Sequence, residues 1–166
     1  MRDIKLIINE LWEHIDDPSK GLPEELFLFI SQVTPLINVD LLVRDKNGSF
    51  LLSWRKDKWD NGWHIPGGIV RVKETLQQRL EATAQKEIGS LVNFNPKPLM
   101  FSQEVHPWAQ IRPHFYSFLY DCTLPNGFEI DNKMCQSGEA GYLQWHNKFP
   151  DDMIFAHHKY KKFFSK

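Results

Sequence analysis

Apolar positions recur along this chain with two periods. Ile4, Ile7, Ile8, Leu11, Trp12 and Ile15 fall at i, i+3, i+4, i+7, the pattern of one helical face. Pro18 and Gly21 close that segment. Leu22–Gln32 reads as a second short helix, with Pro23 near its first turn and Glu24 and Glu25 where the helix dipole favours acids. Leu36–Val43 is a nearly continuous apolar run, hence a buried strand. Asp45–Lys46–Asn47–Gly48 is a hairpin turn, and Ser49–Trp54 its return strand. A polar loop, Lys56–Asn61, carries Trp59 as a packing anchor or as an exposed stacking ring. The short strand Trp63–His64–Ile65 then runs into Pro66–Gly67–Gly68. Leu76, Leu80, Ala84 and Ile88 form an apolar stripe on a helix that stops at Gly89, where a left-handed cap is expected. Thr83, Lys86 and Glu87 lie off that stripe, so the Glu87 carboxylate is expected to point away from the core.

Lys97–Val105 and Arg112–Thr123 read as a strand pair joined around residues 106–113. Leu124–Gly138 is a loop opened by the turn signal Pro125–Asn126–Gly127. Gly141–His146 is a last strand, and Asp151–Phe164 a closing helix with basic residues in its final turns. This mixture of strands and helices predicts an α+β protein built as a helix–sheet–helix sandwich. The 166 residues suit one domain, 1–166, in which 1–32 form an N-terminal helical extension. That extension either covers one face of the sheet or serves as an arm in a homodimer.

Composition narrows the partners. A hydrophobic content of 42% with 25% charged residues is ordinary for a soluble globular protein. A net charge of −1 gives no reason to expect nucleic acid or an anionic membrane. No apolar run approaches the ~20 residues that span a bilayer, and no secretory leader is read at the start of the chain. Cys122 and Cys135 lack metal or redox spacing and are expected to be buried thiols, which with the missing leader points to the cytoplasm.

Strand, glycine loop, helix and an acid just before a glycine stop suit a phosphate site held by a cation. The stretch from Gly68 to Gly89 resembles the signature box of the Nudix hydrolases, with Gly68, Glu74, Glu87 and Gly89 at the family's spacing. Ala82 and Thr83 stand where the family has Arg-Glu, and Lys86 replaces one of the paired acids. Thr34–Val43, Phe50–Leu52 and Arg55 further resemble the GDP-mannose mannosyl hydrolase branch, which works with a single metal.

The resemblance implies a Nudix α/β/α sandwich with a central mixed sheet, and Mg²⁺ (or Mn²⁺) as cofactor. Its ligands would be Glu87, the Gly67 carbonyl and Glu139, the last placed six residues before Trp145. Glu139 could instead take the proton, because Ala140 stands where the branch has its catalytic histidine. His106 and His114 are replacement bases. Asp40 and Arg55 match substrate-contacting positions of the branch, and an Asp inside an apolar strand is costly to bury without a partner. For Asp40 the choice is between substrate contact and a structural ion pair. Arg55 would steady the diphosphate or make a surface ion pair. Arg71 stands two residues beyond the position of the branch's phosphate-binding arginine.

Arg112 and His114 alternate on a strand and are expected to point the same way, towards the cleft or towards solvent, and Arg71 and Arg112 are candidates to bind the substrate. His157 and His158 are expected at the surface. Glu74 is expected to be structural, paired with Arg79 or Lys73 or capping the helix start. Trp108 or Trp59 could stack on a base. The activity implied is Mg²⁺-dependent hydrolysis of a nucleoside diphosphate linked to a sugar or similar group, with attack at carbon or phosphorus left open. The alternative is a nucleotide-binding module that has lost catalysis.

Overall fold

In the computed structural model, which describes residues 3–164, one eight-stranded mixed sheet is flanked by helices on both faces. The chain opens with α1 (Ile4–Trp12) and α2 (Glu24–Val33), followed by β1 (Leu36–Arg44), β2 (Phe50–Lys56), β3 (Asn61–His64) and β4 (Gly67–Ile69). Then come α3 (Leu76–Glu87), β5 (Asn93–Phe94), β6 (Met100–Val105), β7 (His114–Thr123), β8 (Leu143–His146) and a closing 3₁₀ helix, Phe155–Phe164. No helix among the described residues is long and apolar enough to cross a membrane.

β1 is the central strand. It pairs in parallel with β7 over nine positions and antiparallel with β2 and β4. β3 and β8 extend the sheet from β2, and β5 and β6 pair with β7. Its alternate side chains feed two cores, as the period of two requires. Val39, Leu41 and Val43 pack with Leu80, Ala84 and Ile88 of α3. Leu42 packs with Leu52, Trp63, Ile65 and Tyr160 on the opposite side. Asp40 shares that second face, beneath the closing helix.

The elements differ from the pattern-based reading where special backbone intervenes. β4 is a short strand rather than a loop, because Gly67 and Gly68 let its backbone run close against β1 and α3. Thr83 is buried against Gly68 although it lies off the α3 stripe. α1 ends at Trp12, before Ile15, and buries none of its residues. Cys122 is buried, Cys135 is only half-buried, and both thiols are free.

Candidate active site

A cleft of about 800 Å³ opens where β1 and β4 meet α3, the closing helix and the N-terminal extension. Its floor is Asp40, 1% exposed. The Asn38 amide donates to Asp40 Oδ1 at 2.8 Å and the Tyr160 hydroxyl to Oδ2 at 2.5 Å. His157 Nε2 lies 3.8 Å from Oδ1. Burial raises the Asp40 pKa, against the pull of Lys159 and these two hydrogen bonds. The carboxylate is therefore held by hydrogen bonds in a place that disfavours its charge.

His157 is buried, not at the surface, because the closing helix packs that side chain onto β3 and β1. Its Nδ1 accepts from the Ile65 N–H at 2.9 Å, so the neutral ring carries its proton on Nε2, facing Asp40. Burial, then the neighbouring His64 and Lys159, hold the His157 pKa well below its ordinary value. His158 is exposed, as expected. Beside this cluster, Lys159 donates to Glu104 and to Ser117 Oγ.

Glu87 projects from the last turn of α3, and its Oε2 lies 3.1 Å from His64 Nε2. A second cavity of about 620 Å³, on the side of Ala140 and Gly141, shares Arg55, Lys86 and Glu87 with the first. Glu87 thus stands where two cavities meet. Sequence reasoning passed over His64. Its signal was the one that singled out Asp40, an ionisable residue inside an apolar strand. Tyr160, Lys159 and Glu104 were missed for a different reason: nothing local in the sequence brings them to Asp40.

Glu74 accepts from Arg79 at 2.8 and 2.6 Å and from the Arg71 N–H at 2.8 Å. Burial opposes its charge, but these donors pull its carboxyl below the usual range. Arg79 therefore fills the place of the family's box arginine, one turn earlier on α3 than Ala82. The helix start is capped by Thr75 with Gln78, not by Glu74.

Six of the described lysines and arginines line the cleft, of which Arg79 is paired with Glu74 and Lys159 with Glu104. Arg55 sits 3.6 Å from Asp60 and 3.8 Å from Asp57, and Lys86 adjoins Glu87. Arg71 and Arg112 complete the set. Arg112 precedes β7 with φ +55°, so the alternation expected with His114 does not apply. Its guanidinium lies over the Phe115 ring at 5.5 Å, and its Nε is buried with no hydrogen-bond partner among the described residues. Burial, then Arg55, lowers its pKa.

The three proton-transfer candidates part company. His106 lines the cleft, its ring centroid 5.3 Å from that of Trp108 and 6.3 Å from that of Phe155. His114 contacts Gln103 at 3.0 Å, away from the cleft lining. Glu139 is exposed, accepts from the Gln136 N–H at 2.6 Å and lines neither cavity. Among the described residues no group of three His, Cys, Asp or Glu side chains converges as a metal site. Of the expected ligands, Glu87 and Gly67 line the one cleft. One carboxylate, a peptide carbonyl and the phosphates of a substrate fit a Mg²⁺ ion, which keeps several waters; a cage of three protein carboxylates does not fit.

The family model of the NUDIX domain matches residues 34–158, so this chain belongs to the Nudix family. The low-salt glycan biosynthesis protein Agl8 of Haloferax volcanii is 36% identical over 75 residues, 45% of this chain and 47% of that protein. The match thus spans about half the length of that curated relative. Among solved structures, a MutT Nudix hydrolase from Burkholderia pseudomallei superposes with TM-score 0.61 at 15% identity, covering 80% of this chain and 99% of that one. A MutT protein from Methanosarcina mazei gives 0.58 at 18% identity, covering 79% and 91%. At such identities the structures establish the fold alone. The family acts on nucleoside diphosphate derivatives and generally uses divalent metal ions.

Proposed function

We propose that this chain hydrolyses a nucleoside diphosphate linked to a sugar or similar group, with Mg²⁺ (or Mn²⁺) as cofactor. The observation that carries the reading is the cleft itself, where Arg55, Arg112 and Glu87 face a floor made by Asp40. Arginines neutralise and orient a diphosphate, whose charge grows on the leaving group. Glu87 and the Gly67 carbonyl would hold the ion, which when bound offsets phosphate charge and can activate a water. Asp40, buried and with both carboxylate oxygens engaged by Asn38 and Tyr160, would order the floor of the cleft and not touch the substrate itself. Of the three proton-transfer candidates, the cleft position favours His106 over Glu139 and His114. The similarity to Agl8, a low-salt glycan biosynthesis protein, supports a sugar-bearing substrate. The free thiols Cys122 and Cys135 suit a reducing cytoplasm. The bare apolar face of α1, with Ile4, Leu6, Ile8 and Trp12 exposed, suits a homodimer.

The test is hydrolysis of a panel of nucleotide sugars and nucleoside triphosphates with Mg²⁺ or Mn²⁺, alongside Glu87→Gln. Turnover of one nucleotide sugar, lost in the variant, is the expected result. A second reading is favoured by the His64–Glu87 contact, which occupies the box carboxylate expected to hold the metal. On that reading the protein binds nucleotide without cleaving it, and metal-dependent binding with no turnover is its signature.

A further inference from the structure

We propose that the N-terminal extension is a working wall of the substrate cleft, in which Ser31 of α2 positions Arg112 so that Arg112 and Arg55 together grip a diphosphate. This rests on reading the cleft as a diphosphate site. The family domain begins at residue 34, so the extension lies outside it. Leu22, Phe27 and Ile30 nevertheless line the cleft. Gly21 lies against the Arg71 guanidinium, where an added β-carbon would sit 3.8 Å from that group. Glu24 pairs with Lys58 on the β2–β3 loop, which ties the extension to the segment that follows Arg55.

Ser31 is buried in α2, although a helix serine is free to face solvent. Its hydroxyl donates to the Leu28 carbonyl at 2.7 Å, which leaves only acceptor capacity. The Arg112 N–H donates to that oxygen at 3.3 Å. Arg112 is one of two non-glycine residues among those described with positive φ. A left-handed residue with a long side chain persists only where its surroundings hold it, and such strain clusters at ligand clamps. Removing the Ser31 oxygen leaves a backbone N–H unpaired and lets Arg112 relax to ordinary φ, which swings the guanidinium away.

The two guanidiniums keep donors to spare. Arg112 Nε has no partner among the described residues. The Arg55 contacts with Asp57 and Asp60 are long, and Asp57 already accepts from the Trp59 and Asp60 N–H groups. Two like charges in a partly dry wall, each with unspent forked donors, suit an anion with several oxygens. Ser31 is a positioning residue, and the arginines are the ones that touch the ligand.

Calorimetric titration of the full chain with inorganic pyrophosphate, in chelator without metal, tests this. Wild type should bind, and Arg55→Ala and Arg112→Ala should each weaken binding by about tenfold or more. Ser31→Ala should weaken it by about tenfold as well, and Ser31→Thr, which keeps a hydroxyl acceptor, should restore it. Should Ser31→Ala not fold, Ser31→Cys keeps the volume with a poor acceptor and is expected to bind weakly. Ser31→Ala or Ser31→Cys binding like wild type overturns the positioning role. Arg112→Ala binding like wild type, or no binding by wild type at millimolar pyrophosphate, overturns the clamp. Because pyrophosphate is not turned over in this assay, the hydrolase reading can fail while this pattern holds, and the reverse.

Discussion

A β-carbon added at Gly67 would lie 2.4 Å from Asp40 Oδ1 and 3.0 Å from the Val39 carbonyl oxygen. Both neighbours are fixed, the first by hydrogen bonds from Asn38 and the second by belonging to the central strand. Gly67→Ala is therefore expected to force β4 off β1 and lower stability by about 1–3 kcal/mol, the usual range for overpacking. Chemical denaturation measures this, and an unchanged midpoint would mean that β4 yields at little cost. Residue by residue, the sequence spoke clearly where a side chain was out of place. Asp40 in an apolar strand was noticed on that ground, and it is buried with hydrogen bonds from Asn38 and Tyr160 and with His157 at 3.8 Å. His64, a weaker case of the same anomaly, was not noticed. Arg112 was noticed, but its direction was misread because alternation assumes extended backbone, and its positive φ is invisible without coordinates.

The closing helix carries the element-scale consequence. It brings His157 to the inside, where Asp40 at 3.8 Å, the His64 ring at 6.2 Å and the Tyr160 ring at 5.6 Å face it. Lys159, Arg55 and His158 add positive charge or its prospect around it. Unfolded, His157 takes up a proton near its ordinary value of 6.5; folded, it resists. Below that pH the unfolded state binds more protons, so stability falls as pH drops, by up to about 1.4 kcal/mol per pH unit. Asp40 acts with the opposite sign, since its raised pKa makes the folded state the better proton acceptor above the ordinary carboxylate value of 3.8. Urea midpoints taken from about pH 7 to about pH 5 should slope for wild type and flatten for His157→Gln, whose amide oxygen can still accept from Ile65. Equal slopes would assign the dependence elsewhere, for example to His146, whose pKa burial also lowers. Elements with a clear period, β1 and α3 above all, were legible from the sequence. β4 and β5, at three and two residues, carry too few positions to show a period. The closing segment reads as a helix, yet no local signal separates its 3₁₀ form from α, and that form decides which face holds His157.

Over the whole molecule the charges nearly cancel, at −1, while the cleft gathers Arg55, Arg71, Lys86 and Arg112. Two of the acids there are not free to offset them, since Asp40 is buried under Tyr160 and Glu104 is paired with Lys159. A nearly neutral body cannot draw an anionic substrate from afar, so attraction comes only from the cleft and acts over short distances. Salt screens such a local field as the Debye length shrinks from about 10 Å at 0.1 M to about 3 Å at 1 M. The KM for a diphosphate substrate is therefore expected to rise several-fold over that range while kcat holds nearly constant. The split between the two constants is the point of the measurement. Once substrate is seated, its phosphates are partly desolvated against Arg112 and Arg55, and buried pairs are screened far less than exposed ones. A kcat that fell in step with KM would place the salt effect on the reacting groups themselves, and the arginine wall would then be shaping the chemistry as well as the binding.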